Sequence, residues 1–194
     1  MGDGLPEPVL RRLRAAYGAE GRRYHGLAHV EDCLRRLADV PGLAARERRL
    51  LAWALWFHDA VYDPRRSDNE AKSADLAEAE LESLGVPAAD VAEVGRLIRL
   101  TTGHEVREGD RLGAILVSID LAILGSAPTR YDAYAAAIRA EYGHVPEDAY
   151  RRGRGHFLER MLASPAIFPD PAFRRDLEDA ARANLARELA SLRP

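Results

Sequence analysis

Residues 50–57 form an uninterrupted run of eight apolar side chains, and the polar pair His58–Asp59 follows directly. A membrane-spanning helix needs about 20 apolar residues, so this run is too short to cross a bilayer. Strong helix formers precede the run, so the pattern predicts a buried helix over about residues 45–59 at the centre of the fold. His58 and Asp59 would then emerge at the rim of the core and not on a solvated face.

The rest of the chain reads as a succession of helices. Alanine, leucine, arginine and glutamate dominate, and stretches in which β-branched residues alternate with polar ones are absent, so we expect no sheet. Glycines and prolines separate the segments, and Ser67 and Glu70 have the spacing of a capping box. The prediction is an all-α protein, a compact single domain over residues 1–194 with eight or nine helices. Predicted helices cover about 7–17, 29–40, 45–59, 67–84, a segment that ends near 102, 110–124, and three that start at Pro128, Pro146 and Pro171.

Composition excludes several classes of function. The chain has 28 basic and 31 acidic residues, a formal charge of −3, which argues against a surface that coats nucleic acid or binds an anionic membrane. Cys33 is the single cysteine, so an internal disulfide framework and a cysteine-based zinc finger are excluded. The first residues lack the apolar core of a signal peptide, and we therefore expect a cytoplasmic protein.

Asp120 is an acid within an otherwise apolar segment, residues 115–124, in which Ser118 is the other polar residue. A helix with this pattern is buried on both faces, and an unpaired buried carboxylate costs several kcal/mol or more. An arginine, a set of N–H donors or a metal ion must compensate the charge.

Histidines supply further candidate ligands. His29 lies in the second predicted helix, and His58–Asp59 ends the third. Each alone is better explained as a satisfied core residue than as a metal ligand. Together with Asp120, two imidazoles and two carboxylates form a nitrogen and oxygen ligand set without a thiolate. Such a set suits a divalent ion with room for water (Mn, Fe, Co, Ni, Zn or Mg) better than a closed structural zinc site.

The order His29, then His58–Asp59, then Asp120 on successive helices resembles the HD superfamily of metal-dependent phosphohydrolases. The segment from Tyr24 to Cys33 is also similar to a segment of the cyclic-nucleotide phosphodiesterases, with glycine at position 26 where those enzymes have asparagine. A closer resemblance, over nearly the whole chain, is to small bacterial proteins described as predicted metal-dependent HD phosphohydrolases. It includes Tyr24-His25 with His29, residues 57–63, 68–70, Ser73-Ala74, Thr102 with His104, 120–125, Tyr131, Tyr134, Ile138-Arg139, Glu141-Tyr142, Tyr150, Gly153-Arg154 and Asn184-Leu185.

The resemblance implies an HD-type helical bundle that hydrolyses a phosphate ester, such as a nucleotide or another small phosphoester, with a metal-activated water. It implies His29, His58, Asp59 and Asp120 as metal ligands, with Asp59 also orienting or deprotonating the water. His25 matches the position that protonates the leaving oxygen in the phosphodiesterases; otherwise it would hydrogen-bond a ligand carboxylate.

Five further residues are candidates for substrate binding, and each has a simpler structural interpretation. His104 follows a helix end, where it could bind a second metal or a phosphate or lie exposed in a loop. A guanidinium binds phosphate through two hydrogen bonds, but arginines are so numerous here that any single one is a weak candidate. The five candidates are His104, Asn69, Glu70, Arg139 and Arg154.

Two other functions stay open at this stage. The domain could be a catalytically silent HD module that binds a nucleotide or a metal as a sensor, since the chain shows no recognisable motif for substrate specificity. A di-iron oxygenase on the same scaffold is less favoured, because it needs more histidine ligands. The expected partner is a small phosphorylated molecule, and a C-terminal amphipathic helix over about residues 173–192 could pack internally or at a homodimer interface.

Overall fold

Helices and short connections make up the whole described chain. A computed structural model describes residues 4–192, in which no strand occurs, so the all-α prediction is confirmed. No single helix in this range combines the length and the apolar character that crossing a membrane requires. The helices are α1 (Glu7–Tyr17), α2 (Leu27–Asp39), α3 (Ala45–Phe57), α4 (Asn69–Ser83), α5 (Ala88–Leu100), α6 (Arg111–Asp120), α7 (Pro128–Glu141), α8 (Glu147–Ala163) and α9 (Pro171–Leu192), with a 3₁₀ segment at Leu121–Gly125 between α6 and α7.

The chain divides into two compact units, one within residues 1–116 and the other within residues 117–194. The first unit holds α1 to α5 and the start of α6, and the second holds the end of α6 and α7 to α9. The expectation of one domain over residues 1–194 stays a prediction.

Helix α3 is the centre of the first unit. All eight residues of the apolar run 50–57 are buried, and α3 packs against α2, α4 and α5. Helix α2 turns one face inward, with His29, Val30, Cys33 and Leu37 buried. The apolar run is therefore a buried core helix, as its composition predicts.

The 3₁₀ segment packs against α9 in the second unit. The Asn184 side chain holds the end of that segment, because its Nδ2 donates to the carbonyls of Leu124 (3.0 Å) and Ser126 (2.8 Å). Gly125 lies between these two carbonyls. A β-carbon there would lie 2.6 Å from Leu177 Cβ and 2.8 Å from the Leu177 carbonyl oxygen, so glycine permits the close approach of the two backbones.

Two local predictions were wrong. Helix α4 does not begin with a capping box at Ser67; Asp68 occupies the N-cap position and makes no side-chain cap hydrogen bond. The Asp68 carboxylate instead binds the guanidinium of Arg66, at 2.6 and 2.8 Å. The helix predicted to run to residue 124 ends at Asp120 and tightens into the 3₁₀ segment, a common way for a helix to end.

We expect Gly125→Ala to destabilise the second unit by about 1–3 kcal/mol, because a methyl group would force the backbones of the 3₁₀ segment and α9 apart. Gly153→Ala is the matched control, since no atom lies within 4 Å of a β-carbon at that position in α8. This control should gain about 1 kcal/mol from the higher helix propensity of alanine. Chemical denaturation measures both changes, and equal effects of the two substitutions would contradict the close-packing explanation.

Candidate metal centre

Three side chains that could bind a metal converge in the first unit. His58 Nε2 lies 3.1 Å from His29 Nε2 and 3.1 Å from Asp59 Oδ2, and His29 Nε2 lies 3.8 Å from Asp59 Oδ2. All three residues are buried. The structure therefore brings together three of the four residues that the sequence analysis assigns as ligands.

These distances fit one ion at the centre of the three atoms. Two ligand atoms that bind an ion at about 2.0–2.2 Å lie about 2.8–3.6 Å apart when the angle at the ion is between about 90° and 110°. Both 3.1 Å separations fall in that range, and the 3.8 Å separation corresponds to an angle of about 130°. An ion bound by two imidazoles and one carboxylate keeps further coordination positions open for water or a substrate.

The hydrogen bond on the far side of His58 determines which ring nitrogen is available. His58 Nδ1 lies 2.9 Å from the carbonyl oxygen of Leu55, which can only accept, so Nδ1 carries the proton. Nε2 then presents a lone pair toward Asp59 and His29. This lone pair faces the Asp59 carboxylate at 3.1 Å, and a cation between the two would stabilise the arrangement.

The neighbouring histidines also affect the pKa of Asp59. Burial raises the pKa of its carboxyl group, but the His58 ring, when protonated, lowers it through its charge and its hydrogen bond, and the charges of protonated His25 and His29 lower it further. The net effect holds the pKa of Asp59 well below its usual range. Asp59 is therefore ionised at neutral pH, the form in which a carboxylate binds metal.

Capping of the α3 C-terminus explains how an apolar helix can deliver His58 and Asp59 into the core. The last carbonyls of a helix lack partners within the helix and need them elsewhere. Tyr17 donates its hydroxyl to the Trp56 carbonyl (3.0 Å), and the N–H of Ala60 donates to the Phe57 carbonyl (2.9 Å). Together with the bond from His58 to Leu55, these bonds satisfy the last turn of α3 while its side chains stay buried.

Helix α2 positions His29 from its first turn. The helix begins at Leu27, and His29 points inward beside Val30 and Cys33. The sulfur of Cys33, one turn further on, lies 3.8 Å from each ring nitrogen of His29 and packs against the imidazole. Cys33 is buried, as expected of a core cysteine.

His25 lies two residues before the start of α2. Its half-buried ring stacks on Tyr62, with ring centroids 4.3 Å apart, and meets the edge of Tyr24 at 5.0 Å. The centroids of His25 and His29 are 6.3 Å apart. His25 therefore borders the cluster, and its role as a general acid stays a prediction.

Asn69 shapes the loop that follows Asp59. Its side chain accepts the N–H of Asp63 (3.0 Å) and donates to the carbonyl of the same residue (2.9 Å). Ser73, one turn further along α4, binds the N–H and the carbonyl of Val61 in the same way, at 3.0 and 3.2 Å. The Asn69 amide thus holds the backbone next to the site, while Glu70 is half-buried in the first turn of α4; substrate contacts of both stay predictions.

Two further candidates, one in each unit, lie at helix ends. His104 follows α5, has a positive φ of 60° and donates its N–H to the Leu100 carbonyl (2.9 Å). Among the described residues it is not a member of the His29–His58–Asp59 group. Asp120 is the half-buried last residue of α6 in the second unit, and its role as a ligand stays a prediction.

Arg139 and Arg154 lie in the second unit, where protein groups already bind both guanidinium groups. Arg139 donates to the carbonyls of Tyr142 (2.8 Å) and Val145 (3.3 Å), which holds the turn after α7. Arg154 is buried and forms a two-bond ion pair with Glu188, at 2.8 and 2.9 Å. These contacts explain both arginines structurally, and phosphate binding by either stays a prediction.

Sequence reasoning missed Arg22. Its Nη1 donates to the carbonyls of His25 (2.9 Å) and Asp59 (2.6 Å), and its Nη2 donates to that of Ala60 (2.9 Å). Proximity to His25 in the sequence is the only signal that could have pointed to it. The neighbouring Arg23 carries the same signal, so the pattern alone does not distinguish them.

No protein-family model matches this sequence, and neither a curated protein nor a solved structure matches it. The candidate centre therefore depends on the geometry of its own residues.

We expect the purified protein, incubated with Mn²⁺ or Co²⁺ and then desalted, to retain about one equivalent of metal. Asp59→Ala should lose this metal, because one of three ligands is removed and two imidazoles alone bind weakly. Asp179→Ala, an exposed carboxylate on α9, is the matched control and should bind as the unmodified protein does. Elemental analysis provides the measurement, and equal metal content in all three proteins would rule out this centre.

Proposed function

We propose that the protein is a metal-dependent hydrolase of a small phosphate ester, with its centre at His29, His58 and Asp59. The observation that carries the proposal is the convergence of two imidazole nitrogens and one carboxylate oxygen within 3.1–3.8 Å of one another in the core. Phosphate esters as substrates, such as nucleotides, are inferred from the resemblance to HD phosphohydrolases.

Each residue has a defined task in this proposal. A bound divalent ion would polarise a phosphoryl oxygen and lower the pKa of water. His29 and His58 supply neutral nitrogen ligands, and the bond from His58 to the Leu55 carbonyl keeps its ring in the required tautomer. Asp59, held ionised, supplies an oxygen ligand and orients the attacking water. His25, whose ring centroid lies 6.3 Å from that of His29, would donate a proton to the leaving oxygen.

The proposal predicts that the metal-loaded protein hydrolyses at least one member of a phosphoester panel. The panel contains nucleoside monophosphates, cyclic nucleotides, sugar phosphates and nitrophenyl phosphates, each assayed with Mn²⁺, Co²⁺, Ni²⁺, Zn²⁺ and Mg²⁺. Chelation should abolish turnover and added metal should restore it, because the nucleophile depends on the ion. Binding of a phosphoester that stabilises the protein without turnover would instead favour the silent sensor module.

His25→Gln tests the proton donor separately from the metal. Loss of a general acid typically lowers the rate by about 10²–10⁴-fold for a strongly basic leaving group, which needs protonation as it departs. A nitrophenolate is weakly basic, so hydrolysis of a nitrophenyl ester should decrease much less. His156→Gln, an exposed histidine on α8, should leave both rates unchanged. An equal loss for both kinds of leaving group would show that His25 does not act as the acid.

A further inference from the structure

One guanidinium group connects the two segments that carry the site residues. Arg22 lies in the loop between α1 and α2 and binds the backbone at three points: the carbonyl of His25 before α2, and the carbonyls of Asp59 and Ala60 after α3. The three distances, 2.6–2.9 Å, are those of good charge-assisted hydrogen bonds. His25 and Asp59 are thus linked through a single side chain, although 34 positions separate them in the sequence.

Aromatic rings hold that guanidinium in place. Its central carbon lies 5.2 Å from the centroid of the Tyr17 ring and 5.4 Å from that of Tyr62, within the range of cation–π interactions. Tyr62 also stacks on His25, and Tyr17 binds the Trp56 carbonyl at the end of α3. The partners of Arg22 are therefore themselves in contact with the site.

The backbone of Asp59 needs such an external connection. Helix α3 ends at Phe57, so the carbonyls of Asp59 and Ala60 lie beyond its hydrogen-bond ladder. A shift of this backbone segment would displace the Asp59 carboxylate, which lies 3.1 Å from His58 Nε2. Arg22 restricts such a shift because it holds the Asp59 and Ala60 carbonyls.

We propose that Arg22 is a positioning residue of this site, fixing the Asp59 carboxylate and the His25 imidazole relative to each other through its bonds to three backbone carbonyls. The inference depends on the proposed function in that the geometry it maintains is that of the metal centre. A lysine cannot replace it fully, because a single ammonium nitrogen lacks the planar fork that spans three acceptors.

The chain contains a matched control. Arg48 also donates to three backbone carbonyls, those of Leu37 (2.5 Å), Ala38 (3.4 Å) and Val40 (2.8 Å), at the end of α2 opposite to His29. Removal of Arg48 eliminates a comparable set of bonds in the same unit, so loss of stability alone would affect both variants alike.

The test compares the unmodified protein with Arg22→Ala, Arg22→Lys and Arg48→Ala by Co²⁺ titration, the visible spectrum of bound Co²⁺ and thermal unfolding. Supporting residues around a metal typically affect affinity about 10–100-fold. We expect Arg22→Ala to weaken Co²⁺ binding by about tenfold or more and to shift the Co²⁺ absorption bands, with Arg22→Lys intermediate. Arg48→Ala should lower the midpoint of unfolding while keeping the affinity and the spectrum.

Unchanged affinity and spectrum in Arg22→Ala would overturn the inference, as would an equal loss in Arg48→Ala. If Arg22→Ala does not fold, Arg22→Lys decides by the same criteria.

If the unmodified protein binds no Co²⁺, the proposed metal centre is wrong. Imidazole ¹⁵N–¹H spectra of the metal-free proteins then test whether Arg22 positions the two histidines. Shifted His25 and His58 signals in the Arg22 variants, but not in Arg48→Ala, support positioning, and unchanged signals overturn it. Metal binding without phosphoester hydrolysis would overturn only the proposed function.

Discussion

The C-terminus of α3 is the point on which the candidate site depends. A helix that is buried over its last eight residues must still satisfy the carbonyls of its final turn, and water does not reach them. The His58 ring, the Tyr17 hydroxyl and the Ala60 N–H provide the partners. The hydrogen bond that caps the Leu55 carbonyl also fixes the tautomer of His58. One interaction therefore both completes the helix end and determines which His58 nitrogen faces the cluster.

Arginine has a recurring structural role in both units. Arg22 and Arg48 in the first unit each bind three backbone carbonyls. In the second unit, Arg139 and Arg182 each bind two, at the ends of α7 and α8. A guanidinium suits this role because its donors diverge in one plane and reach several acceptors at once. Lys72 is the single lysine of the chain, so almost every basic side chain has this capacity.

Local patterns were sufficient to predict the helical class and the burial of residues 50–57. Apolar periodicity, prolines and glycines act within a few residues of one another, and α1 spans the predicted residues. The position of His58 and Asp59 followed from the helix that carries them, and His29 followed from the resemblance. Arg22 and the loop contact of Asn69 were not predictable, because they depend on which backbone carbonyl or N–H group lies opposite in the folded unit. The capping box expected at Ser67 is absent for a different and local reason, since Asp68 is the N-cap residue and binds Arg66, two positions away.

The contacts of Arg22 also make the support of the cluster insensitive to pH. A guanidinium stays protonated at any pH a cell experiences, so the bonds from Arg22 to the His25, Asp59 and Ala60 carbonyls persist in acid and in mild base. The backbone that carries His25 and Asp59 is therefore held by a group of constant charge throughout that range.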